Sequence, residues 1–333
     1  MAALHEDYGF FGPDSVMWRV WSYPTSIAVG FIRAVVIEEL DPFLVAAVDQ
    51  SEKVYTQPKV RYDRTLAYFA TVAFGDSRTA IEASASLVKV HSMAKGIEPV
   101  SGKIYDANDP AQQLWIHMTA WHSILLAYER YGPGKLSEED ELQYWAECAV
   151  AAELQTFDPA LVPRTREEVR AYFESMRPKL ASSEAAQKMM NHLLTGGDLV
   201  WPEDWQWIPG ARRLSNRFLR AAVLATMPRW MRKLGNCEQP AFVDHAIVPL
   251  AKLSHRLLAT SKPLQLFVIG KLSPRTKPVV EPVLRGVAPM RSEVLTPAEA
   301  RQRYDAPTPF ELYESIRAQA DARNPRLKGS THR

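Results

Sequence analysis

From about residue 59 to residue 235 the sequence repeats one device: apolar residues step by three and four, opened by a capping side chain and shut by glycine or proline. The spacing predicts a first helix over about 59–74 that stops at Gly75. Asp76 or Ser77 caps a second, whose apolar face is Ala80, Ala83, Leu87, Val90 and Ala94 and which Gly96 ends. Asp109-Pro110 opens a third, with Leu114, Met118, Trp121, Leu125 and Tyr128 on one face, and Gly132-Pro133-Gly134 closes it. Ser137 starts a fourth, Thr165 with Glu168 has the spacing of a capping box for a fifth that Pro178 ends, and two more helical stretches run near 183–195 and 211–234. With only 15 glycines and little strand-like alternation, the chain reads as all-α.

Residues 1–235 are expected to form one helical domain, because 333 residues of which 47% are apolar suffice for a large core. Beyond it, 236–333 is expected to be an extended, helix-poor, Pro-rich extension packed on that domain, since 12 of the 24 prolines fall at or after Pro228. Phe267, Val268, Ile269, Val279, Val280 and Leu284 need a core to bury against, and the polar last dozen residues are expected to be disordered.

Forty Lys and Arg against 38 Asp and Glu leave a net charge of +2, which argues against a nucleic-acid partner. Cys148 and Cys237 form no C-x-x-C or paired-ligand spacing, so zinc ribbons, thioredoxin-like sites and covalently attached haem are excluded. The N-terminus lacks the basic-then-apolar pattern of a signal peptide, and the chain is read as cytoplasmic. The longest apolar run, Ile27 to Ile37, is about half a membrane span and contains Arg33, which leaves only peripheral membrane contact.

No G-x-G-x-x-G, Walker loop, G-x-S-x-G or H-E-x-x-H is present, and Gly75-Asp76-Ser77 reads as a helix cap rather than a hydrolase serine. No two of the eight histidines stand at i,i+3 or i,i+4. His117 and His122 lie about 140° apart around a helix and face different surroundings. His91 sits on the small-residue face of its helix. It is read either as a satisfied core histidine or as an axial ligand to haem iron. Arg61, Arg64 and Thr65 share one stripe at i, i+3, i+4, either a solvated face or a distal pocket that polarises bound dioxygen.

Several runs together resemble one family: Gly12-Pro13-Asp14-Ser15-Val16 with Trp18-Arg19-Val20; Arg61-x-x-Arg64-Thr65; Phe74-Gly75; Leu87-Val88-Lys89-Val90-His91 before Gly96; Tyr105-x-Ala107-x-Asp109-Pro110; Leu114-Trp115-x-His117; and Tyr144-x-x-Glu147. In order and spacing, over about residues 9–235, they resemble the MpaB/rubber-oxygenase (latex clearing protein) family of haem oxygenases. The resemblance implies an all-α domain with a globin-like core, holding a non-covalent haem b and using dioxygen to oxidise or cleave an alkene in an isoprenoid-like substrate. It makes His91 the proximal iron ligand and places Arg61, Arg64 and Thr65 on the distal side. Arg64 stands where the rubber oxygenases have lysine, and arginine cannot become neutral. No counterpart of the family's catalytic glutamate is assigned; Glu38 and Glu39 lie upstream of Arg61. Glu147 is read as bracing helices.

From Gln206 to Cys237 there is no acidic residue, and seven cations from Arg212 to Lys233 interleave with apolar side chains. The 211–234 stretch is read as peripheral membrane contact, as a core helix with a basic face, or as a source of arginines for haem propionates. The leading expectation is a haem b oxygenase of a hydrophobic lipid or isoprenoid. The alternatives are a non-catalytic haem- or lipid-binding helical protein and a scaffold without cofactor.

Overall fold

The caps read in the sequence open helices in the computed structural model, which describes residues 4–196 and 201–323. Asp76 accepts from Thr79 N at 2.8 Å to start α6 (Ser77–His91), after α5 (Pro58–Phe74). Asp109 takes Ala111 N at 2.9 Å, with Pro110 at the first turn, to start α7 (Pro110–Tyr131). Ser137 starts α8 (Glu138–Ala152), Thr165 starts α9 (Arg166–Met176), and Ser183 starts α10 (Glu184–Leu193). Buried Asp7 ties the N-terminal segment to the start of α6 by accepting from Ser77 N at 2.8 Å. The Gly75-Asp76-Ser77 block is therefore a helix start.

Before α5 the chain forms α1 (Val16–Trp21), a π-helical turn (Ser26–Gly30), α2 (Phe31–Glu38), α3 (Pro42–Gln50) and α4 (Lys53–Thr56). Glu147 of α8 accepts from Val16 N (3.2 Å) and Met17 N (2.6 Å), so it caps α1 and braces the two helices. The second helix ends at His91 rather than at Gly96. Residues 95–97 instead pair antiparallel with 104–106 as a two-stranded hairpin, β1 and β2. Gly96 is needed there because a Cβ would stand 2.5 Å from the Tyr105 hydroxyl.

Two apolar cores meet at α7, whose 22 residues span about 33 Å. Met118, Trp121, Leu125 and Tyr128 join the core built on α1, α5 and α8; Trp115, Ala127 and Tyr131 join the one built on α2. His117 and His122 diverge as expected. The first bonds the Cys148 carbonyl at 2.8 Å; the second meets Phe173 and, at 3.4 Å, the buried Arg33.

The expected extended tail is instead helical. Pro228 splits the 211–234 stretch into α11 (Ala211–Thr226) and α12 (Arg229–Leu234), and then come α13 (Ala241–Ala259), α14 (Lys262–Leu272), α15 (Lys277–Arg285), α16 (Pro297–Arg303) and α17 (Pro309–Arg323). Four of its prolines are helix starters: Pro263, Pro278, Pro297 and Pro309 stand in first turns, where no N–H partner is lost, whereas Pro249 and Pro282 lie inside α13 and α15. Leu266, Ile269, Val280 and Leu284 enter the same core as α1 and α8. Most of the polar terminal dozen, residues 324–333, lies outside the described residues.

Candidate functional site

Gly30 places the site. A Cβ on it would lie 2.8 Å from Ile124 Cδ1 and 3.1 Å from Ile124 Cα, so glycine lets the start of α2 seat directly on α7. Two turns later the same packing brings Glu38 to Thr119, whose Oγ1 is 3.1 Å from Glu38 Oε1 and 2.9 Å from the Ile116 carbonyl. The Thr119 hydroxyl faces both acceptors and shares its one hydrogen between the Glu38 carboxyl and the Ile116 carbonyl. Burial pushes this carboxyl up to about 7, against the opposing pull of Thr119 and Arg61. Glu39, only 3% exposed, is pushed by burial to about 8, and its Oε2 has no hydrogen-bond partner.

Glu38 and Glu39 line a cavity of about 620 Å³, open to solvent, with Arg61, Thr65, Tyr62 and Val54. The Arg61 guanidinium and the Thr65 hydroxyl have no hydrogen-bond or ion-pair partner among the described residues. Both are free to meet a ligand. The expected stripe of three splits, however: Arg64 is exposed and lines neither this cavity nor the next. Along a helix Arg64 lies about 100° from Thr65, which turns it away when Arg61, Tyr62 and Thr65 face the cavity.

Glu38 also borders a second, almost wholly apolar cavity of about 790 Å³, walled by Trp21, Phe31, Phe69, Leu258 and Val283 among others. Phe31, Val35 and Glu38 belong to both linings. No lysine or arginine faces the apolar cavity, and two of its walls come from α14 and α15.

His91 is the last residue of α6 and lines neither cavity. Burial, then the positive field of Arg61, hold its imidazole down at about 4, so it is neutral near pH 7. Its Nδ1 stands 3.2 Å from Gln113 Nε2, an amide nitrogen that also donates to the Ala107 carbonyl at 2.6 Å. Nδ1 is thus engaged, and no described residue hydrogen-bonds Nε2. A neutral, oriented imidazole with one nitrogen open is the donor that haem iron requires. No cluster of three or more His, Cys, Asp or Glu suited to a metal ion occurs among the described residues.

Sequence reasoning missed Glu38 and Glu39 as site residues. The available signal was their position: two acids directly ending the apolar run that starts at Ile27, with Glu39 followed by Leu40.

Residues 18–253 match the family described as ER-bound oxygenase mpaB/B'/Rubber oxygenase, catalytic domain. The match runs past residue 235 into α13. No curated protein and no solved structure matches the chain significantly.

Proposed function

The chain belongs to the family of mpaB and rubber-oxygenase catalytic domains, and from that membership we propose that it is a haem b-dependent oxygenase using dioxygen on a hydrophobic isoprenoid or lipid substrate. The observation that carries this reading is His91, neutral, anchored through Nδ1 and open at Nε2. Bound haem supplies redox-active iron for dioxygen chemistry. His91 would hold the iron through Nε2, with Gln113, itself bonded to the Ala107 carbonyl, placing the ring through Nδ1. Arg61 and Thr65 present unpaired donors to the cavity and would stabilise negative charge developing there. Glu38, protonated below about pH 7, holds a proton on the wall between the two cavities, where it can be given to or taken from a substrate carbon chain. The apolar cavity excludes water and orients that chain.

The test is an absorption spectrum of the purified protein, oxidised and dithionite-reduced, beside His91→Ala. A Soret band abolished or shifted in the variant supports the reading. A featureless spectrum after expression with ample haem refutes it. The second reading, a lipid- or haem-binding protein without turnover, is favoured by the apolarity of the cavity walled by Trp21, Phe31 and Phe69. Substrate-dependent oxygen uptake separates the two.

A further inference from the structure

Helix α13 is apolar on two faces. Ile247, Ala251 and Leu258 turn inward, whereas Phe242, Leu250, Leu253 and Leu257 stand in solvent, Phe242 at 72% and Leu257 at 60% exposure. At about 100° per residue these four fall within roughly 80° of one another, so they form one stripe rather than a scatter. Exposed Leu264 and Phe267 follow on α14, which packs against α13, and the Phe267 ring stacks on Trp205 at 6.1 Å.

Charge accompanies the stripe. His245, Lys252 and Arg256 are exposed along one flank of it, and Lys262 is exposed at the start of α14. Between residues 201 and 280 stand thirteen lysines and arginines against four carboxylates, Glu203, Asp204, Glu238 and Asp244, of which Glu203 pairs with Lys59 and Asp204 with Lys271. Asp244 is engaged by the buried Arg232 at 2.9 Å.

An apolar stripe edged by cations, in a region where lysines and arginines outnumber acids about three to one, is complementary to an anionic lipid surface, whose acyl boundary takes the leucines and whose headgroups take the lysines and arginines. The inner side of the same corner is the cavity wall: Leu258, Gln265 and Ile269 line the apolar cavity, while Leu257 and Leu264 beside them face out. We propose that the α13–α14 corner docks the protein on an anionic lipid bilayer, so that an uncharged lipid-soluble molecule passes from the acyl layer into the apolar cavity behind it. The docking surface is thus displaced from the 211–234 stretch, part of whose basic character is structural, as Arg232 shows.

The test is co-sedimentation of the full chain with vesicles of phosphatidylglycerol and phosphatidylcholine, and with phosphatidylcholine alone. Binding to the anionic vesicles only, weakening with salt, is expected. Each cation near the surface contributes roughly fivefold, so Lys252→Glu with Arg256→Glu weakens partition at least about tenfold, as does Leu250→Ser with Leu253→Ser and Leu257→Ser. Circular-dichroism melting is unchanged in both, because all five side chains are exposed. Vesicle binding that is absent, or unaltered by the leucine substitutions, overturns the proposal. So does a wild-type dimer that the leucine variant dissociates in sedimentation equilibrium, which assigns the stripe to a second copy. The readout needs neither haem nor turnover, and its failure is distinct from failure of the oxygenase reading.

Discussion

Glu38 owes its chemistry to neighbours far away in sequence. Thr119 supplies the oxygen beside it, Arg61 the nearby positive charge, and burial the dominant push to about 7. An infrared band of a protonated carboxyl is therefore expected below about pH 7, fading as pH rises through that value and weakened in Glu38→Gln. A band untouched by the substitution would contradict it. None of this was legible in the sequence, because the proton affinity of a carboxyl depends on what tertiary packing removes from around it. His91 was legible as a candidate through its run of neighbours. The anchoring of its Nδ1 was not, since Gln113 reaches that nitrogen only after the hairpin folds back to begin α7. Arg64 shows the opposite failure: a shared stripe at i, i+3, i+4 is broad enough that one member can face water.

At the level of elements, caps carried the reading. Asp76, Asp109, Ser137 and Thr165 each satisfy a backbone donor within three residues, and such local bonds are written in local sequence. The tail misled because proline density looks alike in an extended segment and in a series of short helices that each begin on proline. The fit of α2 on α7 gives a prediction of its own. Gly30→Ala places a methyl against both the Ile124 side chain and its backbone, and it should cost about 1–3 kcal/mol in urea denaturation. The same variant should weaken the Glu38 infrared band, because α2 can no longer seat on α7. A variant as stable as wild type would show that the contact relaxes freely.

Across the whole molecule, buried ionisable groups set how stability follows pH. Glu39 binds its proton more tightly folded than unfolded, so its contribution is complete below about pH 4.5 and is lost as pH rises through about 8. His117, held by burial at about 4 against an ordinary 6.5, contributes in full above 6.5 and loses that contribution as pH falls through 4, roughly 3 kcal/mol in all. His122 acts in the same direction. The melting temperature is thus expected to peak between about pH 4.5 and 6.5, and Glu39→Gln should flatten the alkaline side alone. A wild-type maximum above pH 8 would contradict these assignments.

Helix α7 contributes side chains to both apolar cores, one from each side of the same spiral. A chain of this size would ordinarily be free to lose one core and keep the other. Here neither core can come apart without stripping the helix that the other is built on. Loss of either core would therefore bare one side of a helix on which the other still packs, and a form that keeps one half intact would expose the apolar side chains that α7 gives to its partner.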